Sequence, residues 1–267
     1  MNDSKMKVDP KGKTPTPKAK YDYLFKTIVC GDSFVGKTSI IQNYNGRKFD
    51  KNFISTLGLD FIVKEILIGD KVIRSQIWDT AGQDRFKSVQ GVFLRNCQAI
   101  VFVFDLTSKE SFDDIEKQYK QAQSEIKTTN YPNSRSKQSS NEGGDDTVDS
   151  FRGVKLALVG NKFDCEQKIR SVTHAEAAQY AAERKMLYIE TSAKSGQNVK
   201  NLFLDLTAEI LKDKEVAEQC SYEAMMRKIG DKPKKNAFPS PAQLKNKFSN
   251  MQNDIFEGEK QEGKRCC

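Results

Sequence analysis

Residues 31–39 read GDSFVGKTS and follow an apolar run, YDYLFKTIVC, at 21–30. A loop that wraps a triphosphate must bring backbone N–H groups close to the phosphate oxygens, and glycines permit that approach. The apolar run reads as a strand and residues 37–45 as a helix, whose N-terminus would point at the anion. The stretch therefore predicts a phosphate-binding loop between a strand and a helix. The GxxxxGK[ST] pattern is met by Gly31, Gly36, Lys37 and Thr38.

Two side chains of this loop have predicted chemical roles. Lys37 supplies a positive charge for the β- and γ-phosphates, and Thr38 offers a hydroxyl to Mg²⁺. Phe34 is unusual, since a bulky residue stands where Gly, Ala or Ser is usual. Because the loop needs only the backbone N–H of Phe34, we expect the side chain to point outward. An ordinary glycine-rich turn is the alternative for the whole stretch. The predicted phosphate-binding residues are Asp32, Ser33, Phe34, Val35, Gly36, Lys37, Thr38 and Ser39.

The composition of the chain favours a globular core with polar extensions and an anionic partner. Hydrophobic residues make up 37% and charged residues 30%, and the net charge is +8. A basic chain can contact a nucleotide, a nucleic acid or a membrane surface. The basic residues are not interleaved with aromatic ones, as they are on nucleic-acid-binding faces, so we expect no nucleic-acid partner.

The cysteines and the single histidine argue against a metal centre built from these residue types. Cys30, Cys97, Cys165 and Cys220 are scattered and show no metal-ligand spacing. Nothing resembles a secretory signal peptide, and no stretch approaches the about 18–20 apolar residues of a membrane span. We therefore expect a protein of the reducing cytosol.

The rest of the apolar pattern alternates between strands and helices. A Gly69-Asp70 turn between two apolar runs predicts a β-hairpin. Two near-continuous apolar runs, AIVFVFDL and VKLALVGN, are typical of parallel strands covered on both faces. We therefore predict a three-layer α/β domain with a six-stranded, mostly parallel sheet, one antiparallel edge strand and helices on both faces. Strands are predicted at 21–30, 61–68, 71–78, 99–106, 154–161 and 186–191, and helices at 37–45, 111–127, 173–184 and 198–212.

Changes in composition suggest where the domain begins and ends. We expect a disordered basic arm over 1–21, a nucleotide-binding domain over 22–212 and a flexible tail of mixed charge over 213–267. Within the domain, residues 129–152 are polar and rich in Gly, Ser and Asn. They predict an inserted disordered loop between a helix and a strand, on the side of the sheet away from the nucleotide.

A second polar stretch, WDTAGQDRF (78–86), ends a predicted strand. Asp79 can hold a Mg²⁺-bound water, and Gly82 can present its backbone N–H to a γ-phosphate. Gln83 can orient an attacking water, which makes it the candidate catalytic residue. The alternative is an ordinary polar turn after a strand. The functional interpretation is favoured because a phosphate loop precedes this stretch in the same chain.

A third stretch, NKFD (161–164), follows another strand and predicts recognition of a base. The Asp164 carboxylate can accept two parallel hydrogen bonds from guanine, and adenine lacks that pair of donors. Asn161 can tie the loop together, and the stem of Lys162 can cover one face of the base. The TSAK stretch at 191–194 can add backbone donors to the guanine carbonyl through Ser192, Ala193 and Lys194.

The order of these four stretches resembles that of the Ras-superfamily small GTPases, over nearly all of 22–212. STLGLDF (55–61) and IWDTAGQDRF (77–86) are closer to the Rab family, from which the second departs only conservatively at Asp84. The resemblance implies a molecular switch that binds GTP and GDP with Mg²⁺, and that hydrolyses GTP slowly without an activating protein.

The same resemblance implies further site residues. Thr56 would be a second hydroxyl on Mg²⁺, and Phe49 would pack against the guanine edge. The aromatic surface read by effectors would consist of Phe61, Trp78 and Phe93, with ordinary core aromatics as the alternative. Mg²⁺ would thus be held by Thr38, Thr56 and Asp79.

The last two residues are Cys266 and Cys267. This pair resembles the C-terminal cysteines of Rab proteins that accept two geranylgeranyl groups. Two lipid chains anchor a protein stably where one does so marginally, and two unmodified thiols are the alternative. The expected location is the cytoplasmic face of an intracellular membrane, with cycling through the cytosol. The implied partners of the expected monomer are an exchange factor, an activating protein, effectors, and a prenylation escort or GDP-dissociation inhibitor.

Two other functions remain open at this point. A GTP-bound scaffold that barely hydrolyses its nucleotide is suggested by Phe34 in the phosphate loop. A phosphate-loop ATPase or kinase is disfavoured by Asp164, which matches guanine rather than adenine.

Overall fold

The structure is a computed structural model that describes residues 21–50, 60–80, 94–128, 151, 153–165, 167–221 and 223–224. Residues 21–221 form one unit, which holds every helix and strand named below. The rest of the chain, 1–20 and 222–267, belongs to a second unit, of which only 223–224 are described. The predicted basic arm, most of the predicted tail and most of the predicted insert therefore lie outside the described residues.

Each strand and helix predicted from the sequence is present, with small shifts at the ends. No helix within the described ranges has both the length and the apolar character needed to cross a bilayer. The strands are β1 (Tyr23–Gly31), β2 (Asp60–Ile68), β3 (Lys71–Asp79), β4 (Ala99–Asp105), β5 (Lys155–Asn161) and β6 (Leu187–Glu190). The helices are α1 (Lys37–Tyr44), α2 (Lys109–Thr128), α3 (His174–Glu183), α4 (Val199–Lys212) and α5 (Lys214–Gln219), with a 3₁₀ turn at Gln167–Ile169.

The six strands form one sheet in the order β2-β3-β1-β4-β5-β6. Among the pairs of neighbouring strands that the structure describes, the β2–β3 hairpin is antiparallel, from Asp60 opposite Asp79 to Ile68 opposite Lys71, and the other pairs are parallel. The predicted fold class is thereby confirmed. Strand β1 lies between β3 and β4, and the chain crosses from one side of β1 to the other as it passes from β3 to β4. Such a reversal of strand order opens a crevice at the carboxyl end of β1, where sheets of this kind bind ligands.

The core has two layers because successive residues of a strand point to opposite faces of the sheet. In β4, Val101 and Val103 belong to the cluster that includes Phe203 of α4 and Val216 of α5. Phe104, one residue further on, packs on the opposite face, with its ring 4.9 Å from that of Phe112 in α2. All seven residues of β4 are buried, as its continuous apolar run predicts.

The end of the predicted insert differs from the expectation. Phe151 is only 7% exposed, and its ring centroid lies 5.0 Å from that of Tyr119 in α2. A large apolar ring is favoured in the core over water, so Phe151 belongs to the folded unit although its neighbours in sequence are polar.

The folded unit also runs past the expected boundary at Lys212. Asp213 caps α5 by accepting a hydrogen bond from the backbone N–H of Val216, and Lys155 lies 3.0 Å from the same carboxylate. Val216 and Ala217 are buried, and Ser221 forms an antiparallel bridge with Tyr23 of β1. Helix α5 is thus part of this core.

Candidate functional site

The phosphate loop leaves β1 and enters α1 at two glycines that no other residue fits. Gly31 and Gly36 have φ of 150° and 97°. A Cβ atom on Gly31 would lie 2.3 Å from the Val103 carbonyl oxygen, and one on Gly36 would lie 2.3 Å from Asn161 Nδ2. These close contacts explain both glycines of the motif. The first turn of α1 carries no acidic residue, so its N-terminal N–H groups stay available for an anion.

Lys37 is held inside this loop by its own backbone. The residue is 5% exposed, and its Nζ donates to the carbonyl oxygens of Gly31 at 2.8 Å and Asp32 at 2.6 Å. Burial lowers the pKa of Lys37, although the charges of Asp79, Cys30 and Asp32 act against this. An ammonium group has three donors, so one remains beyond these two carbonyls for a phosphate oxygen.

Phe34 has the outward orientation that the sequence predicts. Its side chain is 71% exposed, and its φ of 67° lies in the left-handed region. Val35, the next residue, is buried, and Ser33 and Ser39 are partly exposed on the loop and on α1. The loop therefore presents its backbone inward and the aromatic ring to solvent.

Thr38 and Asp79 meet where α1 faces the end of β3. Thr38 Oγ1 donates to Asp79 Oδ2 at 2.6 Å. The other oxygen, Oδ1, is buried and accepts no hydrogen bond from any residue that the structure describes. Burial raises the pKa of Asp79 to about 6, although the Thr38 hydrogen bond and the Lys37 charge oppose it.

This pair fits a magnesium ion or one of its bound waters. The buried Oδ1 of Asp79 has no hydrogen-bond donor among the described residues, and a cation or a water bound to a cation would supply a partner. Within the described ranges, no group of three or more His, Cys, Asp or Glu side chains is arranged to hold a metal. Magnesium at nucleotide sites needs only one or two carboxylates, because the phosphates and waters supply the other ligands.

Asn161 joins the phosphate loop to the TSAK loop. Its Nδ2 donates to the Val35 carbonyl at 2.8 Å, and its Oδ1 accepts from the Ala193 backbone N–H at 3.1 Å. Thr191 Oγ1 donates to the same oxygen at 3.3 Å. A single buried amide thus connects three of the stretches singled out in the sequence.

Two residues of the TSAK loop hold the Asp164 carboxylate in place and favour its charged form. Ser192 Oγ donates to Oδ1 at 2.6 Å, and Lys194 Nζ lies 3.4 Å from Oδ2. Burial opposes the charged form of Asp164, but these contacts outweigh it, and the pKa is lowered. A carboxylate has about four acceptor positions, so two remain for the parallel donors of a guanine.

Lys162 is oriented by a residue that the sequence analysis did not single out. Its φ is 67°, and its Nζ lies 2.5 Å from Asp105 Oδ2 at the end of β4. Thr107 donates to the other Asp105 oxygen from both its N–H and its hydroxyl. Asp105 ends an apolar strand just as Asp79 does, and that signal was available in the sequence.

A second contact had no such signal. Asn43 lies within α1, and its Nδ2 donates to the Ala193 carbonyl at 3.1 Å. It fixes the TSAK loop from the helix that follows the phosphate loop. A polar residue inside a helix is ordinary, so only the packing of the two segments reveals this role.

Phe61 and Trp78, which the resemblance assigns to the surface read by effectors, are both buried. They are 6% and 3% exposed, and their ring centroids lie 4.7 Å apart across the β2–β3 pair. The alternative of core aromatics agrees with the structure, because apolar rings directly opposite each other in a hairpin bury one another.

The remaining predicted site residues divide into one described residue and six that lie outside the described ranges. Phe49 is described and 42% exposed, close to the end of a described range. The others lie outside the described residues: Thr56, Gly82, Gln83, Phe93, Cys266 and Cys267.

Comparison with known proteins agrees with this arrangement. The sequence profile of the Ras family matches residues 26–134 and 139–212. The chain is 34% identical to Ras-related protein Rab-3 of Caenorhabditis elegans, over 88% of this chain and 95% of that protein. It is 36% identical to Ras-related protein Rab-13 of Rattus norvegicus, over 72% and 82%. It is 32% identical to GTP-binding protein ypt2 of Schizosaccharomyces pombe, over 92% and 98%.

Proposed function

Because this chain belongs to the Rab family of small GTPases within the Ras superfamily, we propose that it acts as a membrane-tethered switch in intracellular vesicle trafficking. It binds GTP and GDP and hydrolyses GTP, as members of this family do. The observation that carries the proposal is the meeting of Lys37, the Thr38–Asp79 pair and Asp164 at one edge of the sheet.

We expect different residues at this edge to bind different parts of the nucleotide. Lys37 and the N-terminus of α1 would hold the β- and γ-phosphates, and Asp164 would select guanine. Thr38, Thr56 and Asp79 would hold Mg²⁺, which when bound neutralises the charge of the phosphates. Asn161 keeps the phosphate loop and the TSAK loop at a fixed separation, so that one nucleotide can reach both.

Hydrolysis would depend on Gln83, which orients the attacking water. The sequence suggests no arginine placed to stabilise the transition state from within the chain. We expect an activating protein to supply positive charge there, and GTP turnover by the protein alone to be slow.

The switch itself would lie in residues ~49–61 and ~80–93, which GTP would order through Thr56 and Gly82. An exchange factor, effectors and a GDP-dissociation inhibitor would recognise the two states. The membrane anchor would be two geranylgeranyl groups on Cys266 and Cys267, since two chains bind a bilayer stably. The basic arm and tail would add attraction to anionic lipid.

Three measurements test this function. The purified full chain should hydrolyse GTP only with Mg²⁺, and unlabelled GTP should displace fluorescent GDP where ATP does not. Absence of GTP hydrolysis, both with and without an activating protein, would contradict the proposed GTPase activity. Preferential binding of ATP would contradict the assignment of guanine as the base. Tagged chains with and without Cys266-Cys267 should differ in location, membrane-bound in the first case and cytosolic in the second.

A hydrolysis-poor scaffold that recruits effectors at a membrane is the second candidate. The observation that favours it is Phe34, a 71% exposed aromatic residue within the phosphate loop. Phe34→Gly, described in the Discussion, distinguishes the two candidates.

A further inference from the structure

A hydrogen bond connects helix α2 directly to the phosphate loop. Gln118 of α2 donates from Nε2 to Asp32 Oδ1 at 3.1 Å, and the two residues are 86 positions apart in the chain. Because a carboxylate only accepts hydrogen bonds, the amide must present its NH₂ group to Asp32. No motif in the sequence points to this contact.

Asp32 is thereby held through its side chain and its backbone. Its carbonyl oxygen accepts from Lys37 Nζ at 2.6 Å, while its carboxylate accepts from Gln118. Burial lowers the pKa of Lys37, and the Asp32 carboxylate is among the charges that oppose this effect. A displacement of Asp32 would therefore disturb both the path of the loop and its lysine.

Helix α2 is a rigid support for this contact. Ile115 and Tyr119, on either side of Gln118 in α2, are buried. The Tyr119 ring lies 6.3 Å from that of Phe102 in β4 and 5.0 Å from that of Phe151. Gln118 consequently reaches Asp32 from a helix that is fixed on the sheet.

The second polar atom of the Gln118 amide reduces what this residue can contribute to the stability of the fold. Gln118 Oε1 is buried and accepts no hydrogen bond within the described part of the chain. A buried acceptor without a partner destabilises the fold, and an apolar side chain of similar size would avoid this loss. What the amide provides is its bond to Asp32.

We infer that Gln118 is a positioning residue, which holds the phosphate loop in its binding conformation through Asp32 and so slows the release of the guanine nucleoside diphosphate. The inference rests on the nucleotide site proposed above. It adds to that site a helix that carries none of the nucleotide-binding motifs.

Release of fluorescent GDP from the Mg²⁺-loaded full chain tests this role. Gln118→Leu should accelerate release about three- to tenfold, the range that the loss of one hydrogen bond gives. Its thermal midpoint should be equal to or above that of the natural chain, since the buried Oε1 without a partner is removed. The matched control is Gln179→Leu, because Gln179 also bonds to an acid, Glu183, but on the exposed face of α3. This control should release GDP at the natural rate. Gln118→Glu keeps the size of the side chain and brings like charges together, so it should accelerate release further.

A double-mutant cycle separates positioning from a general loss of packing. In an Asp32→Ala background, Gln118→Leu should have no further effect on the release rate, since its partner is gone. An equal acceleration in both backgrounds, or natural release rates for both Gln118 variants, would overturn the inference. A natural chain that binds no GDP at all would instead contradict the proposed function.

Discussion

At the scale of the single residue, Phe34 combines an exposed side chain with a left-handed backbone. Non-glycine residues in this conformation are strained by about 1–2 kcal/mol, and the φ of 67° is required by the loop. Phe34→Gly should relieve this strain and raise the free energy of unfolding. The gain should be at most about 1 kcal/mol, because glycine has more freedom in the unfolded chain and this partly offsets the relief. Urea unfolding of both proteins measures the difference.

The same variant decides between a slow GTPase and a scaffold. Lys185→Gly is the matched control, since Lys185 has a φ of 54° far from the phosphate loop. It should show a similar gain in stability and natural GTP hydrolysis. In single-turnover assays, equal rates for the natural chain and Phe34→Gly would exclude the scaffold, and a clear increase for Phe34→Gly alone would support it.

Asp164 is expected to determine which base is bound. Asp164→Asn replaces one acceptor by a donor, so GDP affinity should fall at least about 100-fold with the loss of a charged hydrogen-bond pair. Xanthosine diphosphate has a carbonyl in place of the guanine amine and should bind this variant better than GDP. Competition against fluorescent GDP measures both. Asp113→Asn, on the exposed face of α2, is the control, and unchanged GDP affinity for Asp164→Asn would contradict the assignment.

At the scale of secondary-structure elements, the Thr38–Asp79 contact joins α1 to the end of β3. Asp79→Asn should lower the affinity for Mg²⁺ about 10- to 100-fold, as for other groups that orient a metal ligand. The midpoint of the Mg²⁺ dependence of GDP release measures this affinity. Asp70→Asn at the exposed hairpin tip should leave the midpoint unchanged. A natural midpoint for Asp79→Asn would mean that Asp79 takes no part in holding the metal.

Helix α5 gives a second prediction at this scale. A chain that ends at Lys212 loses the buried side chains of Val216 and Ala217 and the Lys155–Asp213 ion pair. Burial of one valine is worth about 1.5–3 kcal/mol, so the free energy of unfolding should fall by about 2–4 kcal/mol. Chemical denaturation, compared with a chain ending at Ala224, tests this. If the two chains were equally stable, helix α5 would not belong to the domain and the boundary would lie at Lys212.

At the scale of the whole molecule, the start of β5, which follows the predicted insert in the sequence, lies at the end of the sheet away from the proposed nucleotide site. Lys155, which begins β5, pairs with Ala99 at the start of β4, whereas Asn161 pairs with Asp105 at the other end. Deleting residues 132–150 should therefore leave the affinity for GTP unchanged in a fluorescent-nucleotide titration. A large loss of affinity would mean that this segment contributes to the nucleotide site.

Much of the fold could be predicted because its signals are local. The seven-residue apolar run of β4 and the Gly-Asp turn of the hairpin each fit one kind of element. The burial of Phe61 against Trp78 was harder to predict, since an aromatic residue at a strand end suits either a core or a binding surface. Phe151 was assigned to the insert because its neighbours in sequence are polar, although its ring packs on α2.

The sequence by itself determined the parallel sheet and predicts both the phosphate loop and the selection of guanine by Asp164, because each depends on short-range patterns and on the common direction of the strands. Only the tertiary structure decided which residues support that site. Asn161 bonds to Val35 across 126 positions, and Gln118 bonds to Asp32 across 86. Such contacts follow from the order of the strands and the packing of the helices, and no local pattern encodes them.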